Sequence, residues 1–271
     1  MLPAGQNPCR APALLTFDDG YSDHYAHVLP ALLRRKASGV FFPPVRAIRD
    51  RVVLDVNRIH FVLQCQEDLT AVIALIDGEV QALGLGEPLT FHAEYRKPSR
   101  YDTPDTMYVK RMLQFVLPES ERARIIHDLF ATFVSKDEHA FADELYLTET
   151  NCRDMIGAGM SIGGHGFSHY WLNKLRPVEQ EAEIRQSHAW LTTLGATRQN
   201  FVFCYPFGGY NQDTKDILKA QGCAAAFTTK VGLARTSADG MLDLMRLDTN
   251  DLPRKGAATP VNWTEQARAV A

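Results

Sequence analysis

The sequence predicts an α/β protein in which parallel strands alternate with helices, most simply as a barrel, and two observations carry that expectation. Short apolar runs ending in turn residues recur along the chain, and helical patterns fall between them. The runs are continuously apolar rather than alternating, which suits strands covered on both faces. Strand followed by helix, repeated, is the pattern of a parallel sheet. In such folds chemistry gathers beyond the carboxyl ends of the strands.

Taken in order, Ala13-Leu-Leu-Thr-Phe17 stops at Asp18-Asp19-Gly20, and Ser38-Gly-Val-Phe-Phe42 stops at Pro43-Pro44. Met160-Ser-Ile-Gly-Gly164 runs into His165, Phe201-Val-Phe-Cys-Tyr205 into Pro206-Phe-Gly-Gly, and Cys223-Ala-Ala-Ala-Phe227 into two threonines. Leu242 to Leu247 is a sixth candidate strand. Between them, Tyr25–Lys36 aligns Val28, Leu29, Leu32 and Leu33 on one helical face. Pro177–Leu194 places Ile184, Ala189 and Leu191 among charges, and Thr214–Gln221 is a short third helix.

Residues 45–150 break this rhythm. Helical patterns cover Asp55–Gln66, Leu69–Leu83, Thr106–Val116 and Glu119–Val134, with a polar, turn-rich stretch from Phe91 to Asp105. The expectation is one domain over residues 1–271 with a helical insertion at 45–150, serving as a lid or as a surface for homo-oligomerisation. Arg96, Tyr101 and Asp102 are its first candidates to approach a substrate.

Composition narrows the partners. A net charge of −3 with no basic run argues against nucleic acid or an anionic membrane surface, both of which need a concentrated basic face. The five cysteines (Cys9, Cys65, Cys152, Cys204, Cys223) are odd in number and never spaced C-x-x-C, so neither a disulfide framework nor a thiolate zinc cluster is indicated. The first eight residues lack an apolar core after a basic start, and no apolar stretch approaches the ~20 residues of a membrane span. The expectation is a cytoplasmic protein with no membrane span.

Two polar clusters lie at strand ends. Adjacent strand side chains point to opposite faces, so Asp18 and Asp19 can serve one site only where the strand turns, and Gly20 permits that turn. By itself Asp-Asp-Gly is more often a solvated turn. His165-Gly-Phe-Ser-His169 follows a Gly-Gly, and its two imidazoles can reach one point from a helical turn or from a tight loop. Two histidines and a carboxylate are the usual protein ligands of a catalytic zinc ion, with a position left for water, and a second carboxylate beside that water is the obvious base.

Thr16-Phe-Asp-Asp-Gly20 resembles the first motif of the polysaccharide deacetylases, the NodB-homology family of carbohydrate esterase family 4 type. His165-Gly-Phe-Ser-His169 is similar to their second motif, and Phe203-Cys-Tyr-Pro-Phe-Gly208 to the third, in the family's order. The resemblance implies a distorted (β/α) barrel. It implies a divalent metal held by Asp19, His165 and His169, with Asp18 as general base. It also implies an oxyanion held by that metal and a backbone N–H of the third motif, which falls to Phe207 because Pro206 has none. Zinc suits such ligands, and cobalt, nickel or manganese could serve. The implied reaction is hydrolytic N-deacetylation or deformylation of an acylated amino sugar in a saccharide or saccharide precursor.

Two departures stand out. Where relatives carry an Arg in the third motif to pair with the base, this chain has Cys204, and Arg246 is the best substitute, weighed equally against a surface ion pair with Asp248 or Asp251. The family's late histidine acid is missing, since no histidine follows His188. His60, ahead of His24 and His92, is the expected donor, although sharing a helical face with Val56, Ile59 and Leu63 reads more simply as a core contact. Tyr170, Trp171 and Tyr210 could stack on a sugar ring. Phe41, Phe42 and Trp190 read as core, and Cys204 as inert packing. The rival readings are an amidohydrolase of the same fold acting on a small non-sugar amide or cyclic imide, and an inactive carbohydrate-binding protein. A binding module has no need of a base, which disfavours the latter.

Overall fold

A computed structural model describes residues 13–196, 200–234, 240–252, 262, 263 and 266; Cys9 and the N-terminal octapeptide lie outside them. The elements run β1 (Leu15–Asp18), a π-helical turn at His24–Val28, α1 (Leu29–Arg34), β2 (Gly39–Phe42) and α2 (Val45–Arg49). Then come α3 (Asp55–Cys65), α4 (Thr70–Ala82), α5 (Pro88–Tyr95), α6 (Pro104–Arg111), α7 (Glu119–Phe133) and α8 (Glu138–Leu145). After α9 (Glu149–Gly157) follow β3 (Ser161–Ile162), α10 (Pro177–Leu194), β4 (Phe201–Cys204), α11 (Gln212–Ala220), β5 (Cys223–Val231) and β6 (Leu244–Arg246). The chain divides into two compact units, residues 1–50 with 146–271, and residues 51–145.

In the first unit all six expected strands are present and every ladder is parallel: β1-β2-β3 form one sheet and β4-β5-β6 another. A parallel bridge from Gly164 to Phe203 joins them, with Gly164 N–H donating to Val202 O and Cys204 N–H to Gly164 O. Among the described residues no ladder joins β6 to β1, so the architecture is α/β with two linked parallel sheets. One core serves both: Val40 and Phe42 pack with Cys204, Ala225, Phe227 and Leu244. Phe41 and Phe42 are wholly buried, each burial contributing roughly 1.5–3 kcal/mol. Parallel strands covered on both faces need this run of large apolar side chains, which is why it stood out in the sequence.

Helix α10 opens with Pro177, whose missing N–H costs nothing in a first turn, and closes at Gly195, which takes the left-handed φ of 78° that a helix stop favours. On it Ile184 and Leu191 are fully buried, and Trp190 is nearly so.

The second unit is wholly helical among its described residues, α3 to α8, around a core that includes Ile59, Ile76, Tyr108, Met112, Ile126 and Phe130. Two expectations change here. The stretch from Phe91 to Asp105 is not all turn: α5 takes its first five residues, because Pro88 supplies a ready helix start that the weakly amphipathic sequence after it concealed. His60 is exposed rather than packed, because the buried stripe of α3 runs through Val56, Ile59 and Val62 and turns away from it.

Candidate metal centre and base

The first motif turns where the carboxylates require it. Asp18 is the last residue of β1, and Asp19 leaves the strand with φ 70°, followed by Gly20 at φ 68°. Its N–H donates to Phe42 O at 3.1 Å, which fixes the turn against β2. Asp tolerates the left-handed region better than most residues, and the two successive positive φ values bring both carboxylates to one end of the sheet. Gly20 has no alternative, since a Cβ there would lie 2.7 Å from Pro43 Cβ.

The second motif is a tight loop rather than a helix. Gly166 takes φ 72° and His169 φ 61°, and the fold carries that local strain at the site itself. Both imidazoles are buried, and their rings lie edge to face at 4.8 Å between centroids. His165 Nδ1 donates to Cys204 O at 2.7 Å, which leaves Nε2 with its lone pair free to face the site. Asp19 Oδ1 stands 3.4 Å from His165 Nε2 and 3.2 Å from His169 Nε2. The ligand atoms of Asp19, His165 and His169 all lie within 4.8 Å of one another. A second grouping of Asp18, His165 and Cys204 meets the same spacing.

One carboxylate and two imidazole nitrogens converging on a point fit a divalent cation with nitrogen and oxygen preferences. Burial by itself raises the Asp19 carboxyl, but the two histidines beside it outweigh burial and hold the group well below the ordinary range. Asp19 therefore carries the negative charge that such a centre needs.

Asp18 sits beside this set under Arg246. The guanidinium reaches from the end of β6, with Nη1 2.9 Å from Asp18 Oδ1 and Nη2 2.7 Å from Oδ2. Arg246 Nη1 also donates to Thr16 Oγ1 at 3.1 Å, and Nε to Thr228 O at 2.9 Å, so every arm of the fork is used on β1 and β5. The surface pairing with Asp248 or Asp251 is set aside: Asp248 caps the turn at Thr249–Asp251 instead. Cys204 Sγ lies 3.4 Å from Asp18 Oδ2, and burial raises its thiol, so it is a neutral donor rather than a nucleophile. Burial raises Asp18 too, yet Arg246 and His165 overcome it and leave the carboxyl below its usual value.

The third motif ends in a 3₁₀ turn, Pro206–Gly208, inside which Phe207 adopts φ 56°. The Phe207 ring stacks on Trp171 at 4.9 Å and meets His169 edge-on at 4.6 Å. Of the expected sugar-stacking residues, Tyr170 and Trp171 follow His169 directly and are half-buried. Tyr210 stacks on Tyr205 at 4.4 Å and accepts from Lys230 Nζ at 2.6 Å.

The expected proton donors separate. His24 is buried in the first unit, ringed by Phe17, Tyr21 and Phe41 at 5.5–5.9 Å. Burial lowers its pKa despite the nearby Asp19 and Asp18. His92, in the second unit, bonds through Nε2 to both oxygens of Asp77, which also accepts from Tyr108. His60 lies on the exposed side of α3. Arg96 pairs with Asp105 and Asp102 with Lys110, while Tyr101 is exposed beneath Arg100.

One residue escaped the sequence reading. Glu183, buried on α10, accepts from Phe167 N–H at 2.9 Å and Ser168 N–H at 2.8 Å, both at Oε2. A glutamate in a charge-rich helix carries no local sign of such a role.

The described helices include none long and apolar enough to cross a membrane. Residues 126–226 match the family model for polysaccharide deacetylase, a span that holds the second and third motifs and leaves the first outside. The resemblance drawn from those motifs is thereby borne out. A protein of Bacillus subtilis (strain 168), YxkH, provisionally named as a polysaccharide deacetylase, is 31% identical over 102 residues, which cover 38% of this chain and 36% of that protein. The chain thus aligns with little more than a third of that relative's length. Among solved structures, the Streptococcus pyogenes deacetylase PplD in complex with acetate is similar at TM-score 0.49 and 18% identity, over 89% of this chain and 66% of that one. A family 4 carbohydrate esterase from Streptomyces lividans, also with acetate, is similar at TM-score 0.41 and 12% identity, over 82% and 65%. These structural likenesses are loose.

Proposed function

We propose that this chain, similar to the polysaccharide deacetylases in its second and third motifs, is a metal-dependent hydrolase that removes an N-acyl group from an amino sugar. The observation that carries the reading is the convergence of Asp19 Oδ1 with both histidine Nε2 atoms, next to a second carboxylate gripped by Arg246. Asp19, His165 and His169 would hold the ion, with zinc the first choice and cobalt, nickel or manganese as substitutes. When bound, such an ion supplies Lewis acidity that makes water far easier to deprotonate near neutral pH.

The chain's own residues do the rest. Asp18 takes the proton of the attacking water, and the Arg246 fork fixes which way its oxygens point. As the carbonyl carbon becomes tetrahedral, the Phe207 N–H faces the developing oxyanion, one such donor being worth roughly 3 kcal/mol. Trp171 and Tyr170, beside His169, offer apolar faces to a sugar ring, with Tyr210 further along the third-motif loop. The C–N bond breaks, the leaving nitrogen takes up a proton, and a short carboxylic acid and a free amine result. In this reading the six strands make a distorted (β/α) barrel within a single domain over residues 1–271. Arg246 ties β6 to β1 through side-chain bonds, and the helical unit Arg51–Leu145 is an insertion.

The test is a screen for acid release by the metal-reconstituted protein from N-acetylated amino sugars, N-formylated amino sugars and cyclic imides. Acid release from the acylated sugars, abolished by chelation and restored by zinc or cobalt, is expected. Turnover of imides alone, or full activity in a rigorously metal-free preparation, would sink the reading.

A further inference from the structure

The loop that presents His169 cannot hold itself. Between His165 and His169 the backbone passes through two left-handed residues, Gly166 and His169, so neither helix nor strand satisfies its peptide groups. Its partners come from outside. On one side the start of α2 supplies donors, Val45 N–H to Gly166 O at 3.4 Å and Arg46 N–H to Phe167 O at 2.9 Å. On the other, a single carboxylate oxygen of Glu183 accepts both Phe167 N–H and Ser168 N–H.

Phe167 is therefore clamped at both ends of its backbone, its C=O by α2 and its N–H by α10. Glu183 is buried and lies close enough that a Cβ at Gly166 would stand 3.2 Å from its Oε2. Other side chains of the same helix do related work: one turn earlier, the buried Gln180 accepts from Thr214 Oγ1 at 2.5 Å and so ties α10 to the start of α11. A buried carboxylate spent on two backbone amides and the Ser168 side chain, with the Arg46 charge acting on it, is an expensive choice for a structural contact. Its geometry makes sense as an anchor for the two peptide groups immediately before a ligand.

We propose that Glu183 is the positioning residue of the metal centre: it fixes the His165–His169 loop in the form that aims His169 Nε2 at Asp19. Glu183 faces the backbone and is not itself a ligand. The inference rests on the reading of Asp19, His165 and His169 as the metal set, and predicts an effect on affinity. Removal of groups that orient ligands typically lowers metal affinity about 10–100-fold.

The experiment measures zinc affinity by competition with a chromophoric chelator, and the cobalt absorption spectrum, for the parent, Glu183→Met and Glu183→Gln. Methionine keeps the volume and removes the acceptor; glutamine keeps a carbonyl oxygen able to accept both N–H groups. The expected result is a loss of about 10–100-fold in Glu183→Met with an altered cobalt spectrum, and recovery to within a few-fold of the parent in Glu183→Gln. Parent-like affinity in Glu183→Met, or equal weakness in both variants, overturns the proposal. If Glu183→Met does not fold, Glu183→Asp replaces it, since it keeps the charge and loses the reach; parent-like affinity there is equally fatal. A parent that binds no stoichiometric metal, or a His169→Ala variant that binds as the parent does, overturns the metal-site reading and this inference with it.

Discussion

Arg246 holds Asp18 by both oxygens, at 2.9 Å and 2.7 Å, although 228 residues separate them in the chain. The pair brings the end of β6 to the end of β1. Bidentate geometry fixes orientation as well as charge, which a lysine could not reproduce. Arg246→Met is expected to lower kcat about a hundredfold, the usual effect of a base displaced by an ångström, while bound metal stays at the parent level. Metal analysis alongside steady-state kinetics checks this; equal loss of metal and activity would contradict it.

The two adjacent aspartates should fail differently. Asp18→Asn is expected to retain the metal and lose most of kcat, because it removes the proton acceptor and leaves the ligand set whole. Asp19→Asn is expected to weaken metal binding itself, since it removes the charged ligand from between the histidines. Metal content and kcat measured on both variants separate the roles, and normal values of both in either variant would reverse that assignment.

An amine leaves poorly unless protonated, so a positioned donor is worth roughly 10²–10⁴-fold. His92 bonds to Asp77, and burial lowers the pKa of His24. His60, exposed on α3, is the histidine whose removal tests the role. His60→Ala is expected to cut kcat at least about a hundredfold with metal content unchanged. A value within a few-fold of the parent would make Asp18 the carrier of the proton in both directions.

The enclosure of His24 has a consequence for stability. Its folded pKa lies below the ordinary value of about 6.5, so the unfolded chain binds the proton more readily. The associated stability is full above that ordinary value and is lost as pH falls through the folded pKa. Urea unfolding of the metal-free protein should therefore show a decline on acidification from neutral pH. His24→Phe, which suits the aromatic surroundings, should flatten that decline; an unchanged pH profile would show that other groups set it.

Gly20→Ala combines a left-handed φ of 68° with a 2.7 Å contact to Pro43 Cβ. It is expected to destabilise the fold by about 2–4 kcal/mol, the sum of a conformational and an overpacking penalty. Chemical denaturation gives the number, and a loss below about 1 kcal/mol would mean that the turn relaxes freely.

Much of this was legible in the sequence because parallel strands advertise themselves. Leu15–Asp18, Gly39–Phe42 and Phe201–Cys204 are short apolar runs halted by Asp, Pro or Tyr-Pro, and the first and last of these halts fall at candidate site residues. Arg246 could be named because few cations lie near a late strand end. What stayed hidden lacked a local signature. Helix α5 buries Pro88 and little else, so no periodicity reveals it. The exposure of His60 depends on a stripe spaced 56, 59, 62, whose drift is decided by which neighbours α3 meets. Glu183 reads as one more surface charge until the loop folds over it, since long-range pairing to backbone amides leaves no trace in residue type.

The seam at Gly164 divides the labour of the site. All three residues assigned to the metal follow strands of the first sheet, whereas Arg246 and Phe207 belong to the second. The three side chains assigned to the metal lie on one piece of the chain, and the second sheet backs them with the Cys204 carbonyl behind His165 and the Phe207 ring against His169. The same sheet supplies the Arg246 fork on Asp18. Cargo and competence are thus different properties of this protein. On the proposed reading, metal content reports the first sheet and turnover reports both, so the fraction of working sites is counted by turnover and not by elemental analysis.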